Sequence, residues 1–300
     1  MDGRVKPGHD RMALSPPIAS LLRHFHARKP ARIWSLIVTL YGDAIVPRGG
    51  SLWIGSLIEI MALFRIDAGH VRTAVSRLSS DGWLSSSKRG RASYYRLSRI
   101  AEDEFLQATQ RIYSGIPMQD GALRVAVIGP DADDAASMRA DLAIAGYAPL
   151  SPVIHVGLCD LPRGQQDRPH LFVMTPAVKD RRELASAAWR LDEVAAAYRD
   201  FIAQFSDLAA SLDRRTLKDD EALIARTLLI HAFRRVVLRD PGLPRDLLPA
   251  DWSGDAARAL AGRIYGQVVT PSERFLDAQV KTEEGGLPPP DGAFHQRFKL

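Results

Sequence analysis

A basic amphipathic helix followed at once by a basic hairpin leaves few folds open to the first third of this chain. Apolar side chains recur at i, i+3, i+4 and i+7, the stripe that a helix buries against a core: Val71, Ala74, Val75 and Leu78. Asp67 stands where it can cap the start of this helix. The opposite face carries side chains that hydrogen-bond phosphates and base edges: His70, Arg72, Thr73, Ser76 and Arg77.

The hairpin is predicted in the stretch "SSSKRGRASYYRL", residues 85–97, directly after an Asp81-Gly82 turn. Gly90 permits a tight turn, and three cations surround it: Lys88, Arg89 and Arg91. Apolar helical patterns precede this region, the last of them running from Ile54 to Leu63. Helices followed by a hairpin predict a winged helix-turn-helix over residues 17–98, with one helix in the major groove and the hairpin on neighbouring phosphates. A solvated basic surface is the alternative.

The positive charge lies at one end of the chain. Residues 1–100 contain 16 Lys and Arg against 6 Asp and Glu, whereas residues 101–300 contain 24 against 29. This asymmetry favours a polyanion-binding module joined to a mildly acidic remainder.

The composition also bears on the compartment. Cys159 is the only cysteine, which excludes an intramolecular disulfide and a thiolate-rich zinc site and fits a reducing environment. No apolar run reaches about 18 residues, and the start lacks the apolar core of a secretory signal. We therefore expect a cytoplasmic protein without a membrane segment.

Residues 1–16 are predicted to be a disordered tail, and Met12 is a second possible start.

The rest of the chain is predicted to be α+β and multidomain. Residues 99–122 form a connecting helix and linker. A strand, helix, strand, strand order over 123–180 predicts a ferredoxin-like module. Residues 181–285 are predicted as a helical C-terminal domain, and 286–300 as a loose tail.

Several ordered motifs resemble one known family. They are "YGDAIVPRGG" with "LWIGSLI", "VRTAVSRL" with "DGW", "GRASYYRL", and "LIHAFRRVVLRDPGLPRDLLPADWSG", and the resemblance extends over residues 31–285. In these motifs the chain resembles the PaaX-type repressors of phenylacetic acid degradation genes. The resemblance implies a winged helix, a central ferredoxin-like module similar to a small CRISPR-associated nuclease, and a helical C-terminal domain.

The resemblance also implies partners and site residues. It implies that Arg72, Thr73, Ser76 and Arg77 belong to the recognition helix, and that Arg91, Tyr94 and Tyr95 belong to the wing. It further implies that an aryl-acyl-CoA, such as phenylacetyl-CoA, releases the repressor from double-stranded operator DNA. Because one winged helix buries limited surface, we expect a homodimer. A repressor of the same family with another effector is an alternative.

Candidate effector residues lie in the helical domain. A CoA needs cations near an apolar pocket, and one helix carries His231, Arg234 and Arg235. Ion pairing of this helix with Asp240 or other acids is the competing interpretation. Aromatic surface for an aryl group is offered by Trp189, Tyr198, Phe233 and Trp252. Aromatic residues at helical spacing also suit a plain core.

The rival function is a metal-dependent nucleic-acid hydrolase built on the central module. Its candidate ligands are Asp131, Asp133 and Asp134, although acids at a helix start are favoured there without any metal. His155 and Cys159 lack partners at ligand spacing. We expect no metal, no cofactor and no enzymatic activity, with the central module serving for dimerisation.

Overall fold

The computed structural model describes residues 14–27, 33–116, 121–161 and 168–299. These residues form two compact units of mixed helix and sheet, which confirms the α+β class. The first unit takes in the described residues up to 101 together with 204–231 and 263–291. The second takes in 102–203, 232–262 and the chain from 292 onward. The units are thus interleaved in sequence, whereas the sequence predicts consecutive segments. Most of the predicted N-terminal tail lies outside the described residues.

The first unit begins with four helices and a small sheet. The helices are α1 (Pro16–Ala27), α2 (Ile33–Leu40), α3 (Ile54–Leu63) and α4 (Ala68–Ser80). A π-helical turn, Tyr41–Ile45, continues α2. The strands β1 (Leu52–Trp53), β2 (Leu84–Arg89) and β3 (Ala92–Leu97) form an antiparallel sheet in the order β1-β3-β2. We call β2, β3 and their turn, residues 84–97, the basic hairpin. The apolar stripe predicted for α4 is buried.

Three long helices contribute residues to both units: α8 (Leu191–Leu212), α9 (Asp219–Val237) and α10 (Gly254–Gln279). Within the first unit, Arg226 of α9 is fully buried and donates to the Asp43 carboxylate (2.6 Å) and the Glu273 carboxylate (2.5 Å). The Tyr265 hydroxyl donates to the same Asp43 carboxylate (2.9 Å). A buried charge network therefore joins the turn after α2 to α9 and α10.

Residues 280–291 follow α10 and form a segment that we call the C-terminal strap. Arg48, only 4% exposed, donates from Nε to the Pro288 carbonyl (2.7 Å). The Trp53 N–H donates to the Lys281 carbonyl (3.0 Å), and the Asp291 N–H donates to the Pro47 carbonyl (2.9 Å). The prediction of a loose tail over 286–300 is therefore wrong for this stretch, because a buried arginine binds its carbonyl groups.

The second unit contains a four-stranded antiparallel sheet in the order β5-β6-β4-β7. Its strands are β4 (Arg124–Ile128), β5 (Ala148–Pro149), β6 (Ile154–Gly157) and β7 (Leu171–Met174). Three further helices contribute to this unit: α5 (Arg99–Thr109), α6 (Ala135–Ile144) and α7 (Arg181–Trp189). The first residues of α5 belong to the first unit. Met138 and Leu142 of α6 pack on Ala126 and Ile128 of β4. A second apolar cluster combines Val156 of β6 with side chains of α7.

The long helical pattern after residue 181 is broken between α7 and α8. Arg190 ends α7 in the left-handed region, with φ of +52°. Its backbone N–H donates to the Ser186 carbonyl, and α8 begins at the next residue. The predicted helical segment therefore begins as two helices and not as one. No helix in the described ranges is both long enough and apolar enough to cross a membrane.

Candidate nucleic-acid interface

The outer face of α4 carries the side chains that the sequence predicts to contact DNA. All five are exposed: His70, Arg72, Thr73, Ser76 and Arg77. The Asp67 carboxylate accepts hydrogen bonds from the backbone N–H groups of Gly69 (2.9 Å) and His70 (3.0 Å), which stabilises the helix start. It also binds the His70 ring, and this hydrogen bond lowers the pKa of Asp67. His70 is therefore part of the helix cap as well as of the exposed face.

The two arginines of this face differ in their surroundings. Arg77 Nε lies 3.5 Å from Asp81 Oδ2, in a pair that is exposed on both sides and therefore weak. Arg72 has no ion-pair partner among the described residues. Of these two arginines, Arg72 is therefore the one whose guanidinium is more available to an acceptor outside the protein.

The basic hairpin presents three cations at its tip. Lys88, Arg89 and Arg91 are all exposed. Gly90 between them has φ of +62°, which favours glycine, and a Cβ there would meet no neighbouring atom. In the part of the chain that the structure describes, Lys88 and Arg91 have no ion-pair partner. Arg89 donates to the backbone carbonyl of Glu283.

Hydrogen bonds connect α4 to the basic hairpin. The Trp83 N–H donates to the Leu78 carbonyl (2.8 Å) at the end of α4, and the Ser98 N–H donates to the Trp83 carbonyl (2.9 Å). Leu84 and Leu97 pair across the base of the hairpin, and both are buried. The two exposed basic elements therefore belong to one packed unit.

Glu283 of the C-terminal strap lies against the basic hairpin. Its carboxylate accepts a hydrogen bond from the Ser87 hydroxyl and is 4.0 Å from Arg96. No local sequence pattern indicates this contact, because Glu283 is 196 residues from Ser87 along the chain. Only the local charge of the hairpin, and not its distant acidic neighbour, can be read from a sequence pattern.

The cationic effector candidates do not share one environment. His231 is buried in the first unit, where its Nδ1 lies 3.1 Å from the Thr39 hydroxyl and its ring stacks edge-on with Phe25. Arg234 and Arg235 belong to the second unit, half-buried and exposed respectively. Burial, and then the neighbouring Arg235, lowers the pKa of Arg234 to about 10, which leaves its guanidinium charged at neutral pH.

Most of the aromatic candidates pack in the core of the second unit. Tyr198 is buried, donates its hydroxyl to Asp240 (2.8 Å) and lies edge-on to Trp252. Burial raises the pKa of the Tyr198 hydroxyl, and the Asp240 charge raises it further. Trp189 and Trp252 are half-buried against one apolar cluster. Phe233 lies elsewhere, fully buried beneath the Arg258 guanidinium (5.4 Å).

A surface depression of about 430 Å³ lies in the first unit and contains none of the predicted effector residues. It is lined by Pro16, Pro17, Asp207, Ala210, Ser211, Arg214 and Arg215.

The carboxylates of the rival nuclease hypothesis do not converge. Asp134 forms an ion pair with Arg168 (2.6 Å), while Asp131 and Asp133 are exposed. Over the described ranges, no group of three or more His, Cys, Asp or Glu side chains is arranged to hold a metal ion. His155 is buried in β6, and this burial lowers its pKa.

Comparisons with known proteins match two separate segments of the chain and, for one relative, nearly the whole chain. Residues 32–101 match the family described as PaaX-like protein, and residues 189–278 match the PaaX-like protein C-terminal domain. The "Transcriptional repressor PaaX" of Escherichia coli (strain K12) is 34% identical over 300 residues, with 93% of this chain and 94% of the relative covered. Uncharacterized protein Rv0674 from Mycobacterium tuberculosis, a solved structure, is 20% identical with a TM-score of 0.45, over 73% of this chain and 89% of that one. Because the chain is 34% identical to the E. coli repressor over 93% of its own length, it belongs to the PaaX-like protein family.

Proposed function

We propose that the chain is a transcriptional repressor of an aromatic-acid catabolic operon of the phenylacetate type, and that α4 and the basic hairpin are its DNA-binding surface. The observation that carries the proposal is the packed pair of exposed basic elements in a chain whose relative is named a transcriptional repressor. The family assignment makes the protein a regulator and not an enzyme. We expect it to act in the cytoplasm.

In this proposal the first unit is a winged helix-turn-helix. The turn Phe64–Asp67 separates α3 from α4, and the basic hairpin follows α4 after a short turn. α4 enters the major groove with Arg72 and Arg77 at the base edges, while the hairpin supplies phosphate contacts. Two copies of this unit in a homodimer read a pseudo-palindromic operator.

The second unit supports a ferredoxin-like interpretation of the central module. Its strand order β5-β6-β4-β7, its antiparallel neighbours and the crossover helix α6 are those of a split βαβ arrangement. The connection between β6 and β7 includes residues 162–167, which lie outside the described residues. We assign this module a role in assembly of the dimer.

We propose an aryl-acyl-CoA as the effector, with Arg234 and Arg235 as its phosphate partners. A guanidinium makes forked, charge-assisted contacts to phosphate. Trp189 and Trp252 are the aromatic candidates with exposed surface. Tyr198, Phe233 and His231 are buried, so they can touch a ligand only after their surroundings open.

The function is tested by genomic footprinting of the purified protein, with its mass in solution measured by ultracentrifugation. We expect discrete protected operators and a dimer at micromolar concentration. Uniform binding along the genome, or a monomer, contradicts the proposal.

The effector is tested by calorimetry and by competition with operator DNA. Phenylacetyl-CoA is expected to bind and to weaken operator binding about 5- to 150-fold, the usual range of coupling between two sites. Phenylacetate and free CoA are the controls and are expected to leave operator binding unchanged. If the free acid weakens operator binding and the thioester does not, the roles given to Arg234 and Arg235 are wrong.

Replacing both Lys88 and Arg91 with Ala is expected to weaken binding to operator and random DNA alike. Each lost phosphate contact lowers the slope of log affinity against log salt by about 0.9, so the pair should flatten it by up to about two units. Titrations by fluorescence anisotropy at several salt concentrations measure the slope. The control replaces two exposed arginines outside the hairpin, Arg23 and Arg214. An equal flattening in the control contradicts the proposed role of the hairpin.

A further inference from the structure

The basic hairpin already holds an anion of its own chain. The Glu283 carboxylate contacts the Ser87 hydroxyl on β2 and is 4.0 Å from the Arg96 guanidinium on β3. The backbone carbonyl of the same residue accepts a hydrogen bond from Arg89. A hydroxyl and two guanidinium groups are donors of the kind that bind DNA phosphates. Glu283 therefore occupies phosphate-binding groups in the absence of DNA.

The C-terminal strap holds Glu283 at this position. The Thr282 N–H donates to the Gly285 carbonyl (2.7 Å), which closes a tight turn around Glu283. On one side of this turn the Lys281 N–H donates to the Ser56 hydroxyl (3.0 Å). On the other side the Arg48 guanidinium binds the carbonyl groups of Leu287 and Pro288. Because both ends of the turn are attached to the first unit, the carboxylate stays beside the hairpin.

We propose that Glu283 is an internal competitor for DNA phosphate, which limits how tightly the hairpin binds DNA of any sequence. This inference rests on the proposed function of the hairpin. When DNA binds, Ser87 and Arg96 must exchange the carboxylate for a phosphate, and the displaced carboxylate then repels that phosphate. An arginine that is already paired with a carboxylate also releases fewer counterions when the protein binds DNA. The result is weaker sequence-independent binding.

The contact between Glu283 and the hairpin does not involve the helix that is proposed to recognise bases. Glu283 contacts the hairpin strands, and none of its hydrogen bonds or ion pairs reaches the described side chains of α4. Its effect should therefore apply equally to operator and random DNA. The ratio of operator to random affinity, which decides how the protein divides between an operator and the many random sites of a genome, should therefore stay the same.

Glu283→Gln is expected to tighten binding to random DNA about threefold to tenfold at low salt, the size of one screened charge interaction at this range. It should steepen the salt dependence by about one unit, because Arg96 becomes available to phosphate. The ratio of operator to random affinity is expected to stay unchanged. Anisotropy titrations at several salt concentrations measure all three quantities.

The matched control is Glu284→Gln, which changes the net charge equally at the exposed neighbouring residue. It is expected to change affinity less than twofold. A second test places Glu283→Gln in an Arg96→Gln background, where most of the gain should disappear because the proposal routes it through Arg96. Thermal melting of each variant checks that the strap stays folded.

The outcomes separate this inference from the proposed function. If the wild-type protein binds no DNA, the proposed function itself is wrong. If the wild type binds and Glu283→Gln behaves like Glu284→Gln, the effect is one of net charge and the inference is wrong. If Glu283→Gln weakens binding without lowering the melting temperature, Glu283 positions the hairpin for DNA, and the proposed competition is overturned.

Discussion

Arg226→Ala is expected to lower the free energy of unfolding by about 3 to 5 kcal/mol, the range for breaking a buried ion pair from one side. Arg226 is fully buried and donates to Asp43, Glu273 and the Ser272 hydroxyl (3.0 Å). Burial alone would lower the pKa of Arg226, but its carboxylate partners raise it well above the usual value. Without the arginine, the Asp43 carboxylate loses its guanidinium partner and keeps the hydrogen bond from Tyr265.

Chemical denaturation of the variant and the wild type measures this loss. Arg274→Ala is the control, because Arg274 pairs with Asp219 at the surface and is 58% exposed. Exposed ion pairs contribute about 0 to 1 kcal/mol, so the control should change stability little. Equal losses in the two variants would show that the buried network does not stabilise the first unit. DNA binding should fall in Arg226→Ala only to the extent that the protein unfolds.

The second large effect is expected on operator recognition. Arg72→Ala should weaken operator binding by about 1 to 3 kcal/mol, the usual contribution of one forked contact to a base. Arg72 is exposed on α4 and has no competing ion-pair partner in the described parts of the chain. Random DNA offers no matching base at a fixed position, so its affinity should fall much less. The ratio of the two affinities, measured at one salt concentration, is the decisive quantity.

Arg23→Ala removes the same charge from an exposed position on α1 and serves as the control. It should leave the ratio of operator to random affinity unchanged. If Arg72→Ala weakens operator and random DNA equally, Arg72 contacts phosphate and base recognition lies elsewhere on α4. Neither substitution should change the stability of the fold, because both side chains are exposed.

Periodicity predicted the parts of the site that depend on neighbours in the sequence. The buried stripe of α4, the Asp67 cap and the hairpin turn at Gly90 are all present in the structure. Each is decided within one or two helical turns or one tight turn, where local spacing is informative.

Contacts between distant segments could not be predicted in this way. Asp43 and Arg48 lie in the motif "YGDAIVPRGG", but their partners Arg226 and Glu273 are 183 and 225 residues away. Residues 286–291 of the strap fall in the predicted loose tail, because their proline and glycine residues show no periodicity. A buried arginine can order such a segment through its backbone carbonyl groups, and this leaves no pattern in the side chains.

Aromatic spacing was ambiguous for a different reason. A ring that lines a ligand pocket and a ring in the core occupy the same positions on a helix. Tyr198 and Phe233 are buried, whereas Trp189 and Trp252 keep exposed surface. Only the neighbouring elements decide which of these cases applies.

The interleaved first unit has a consequence for synthesis on the ribosome. Its N-terminal part ends at residue 101, but the segments that complete it are 204–231 and 263–291. At about 5 to 20 residues per second, roughly 10 to 40 seconds pass between translation of the basic hairpin and translation of the strap. Until then, Asp43 and Arg48 lack their partners from α9 and α10, so a nascent chain cannot complete the unit that carries the hairpin. The first unit, which carries the proposed DNA-binding surface, is complete only when almost the whole polypeptide has been made, and a product that ends before residue 263 lacks part of it.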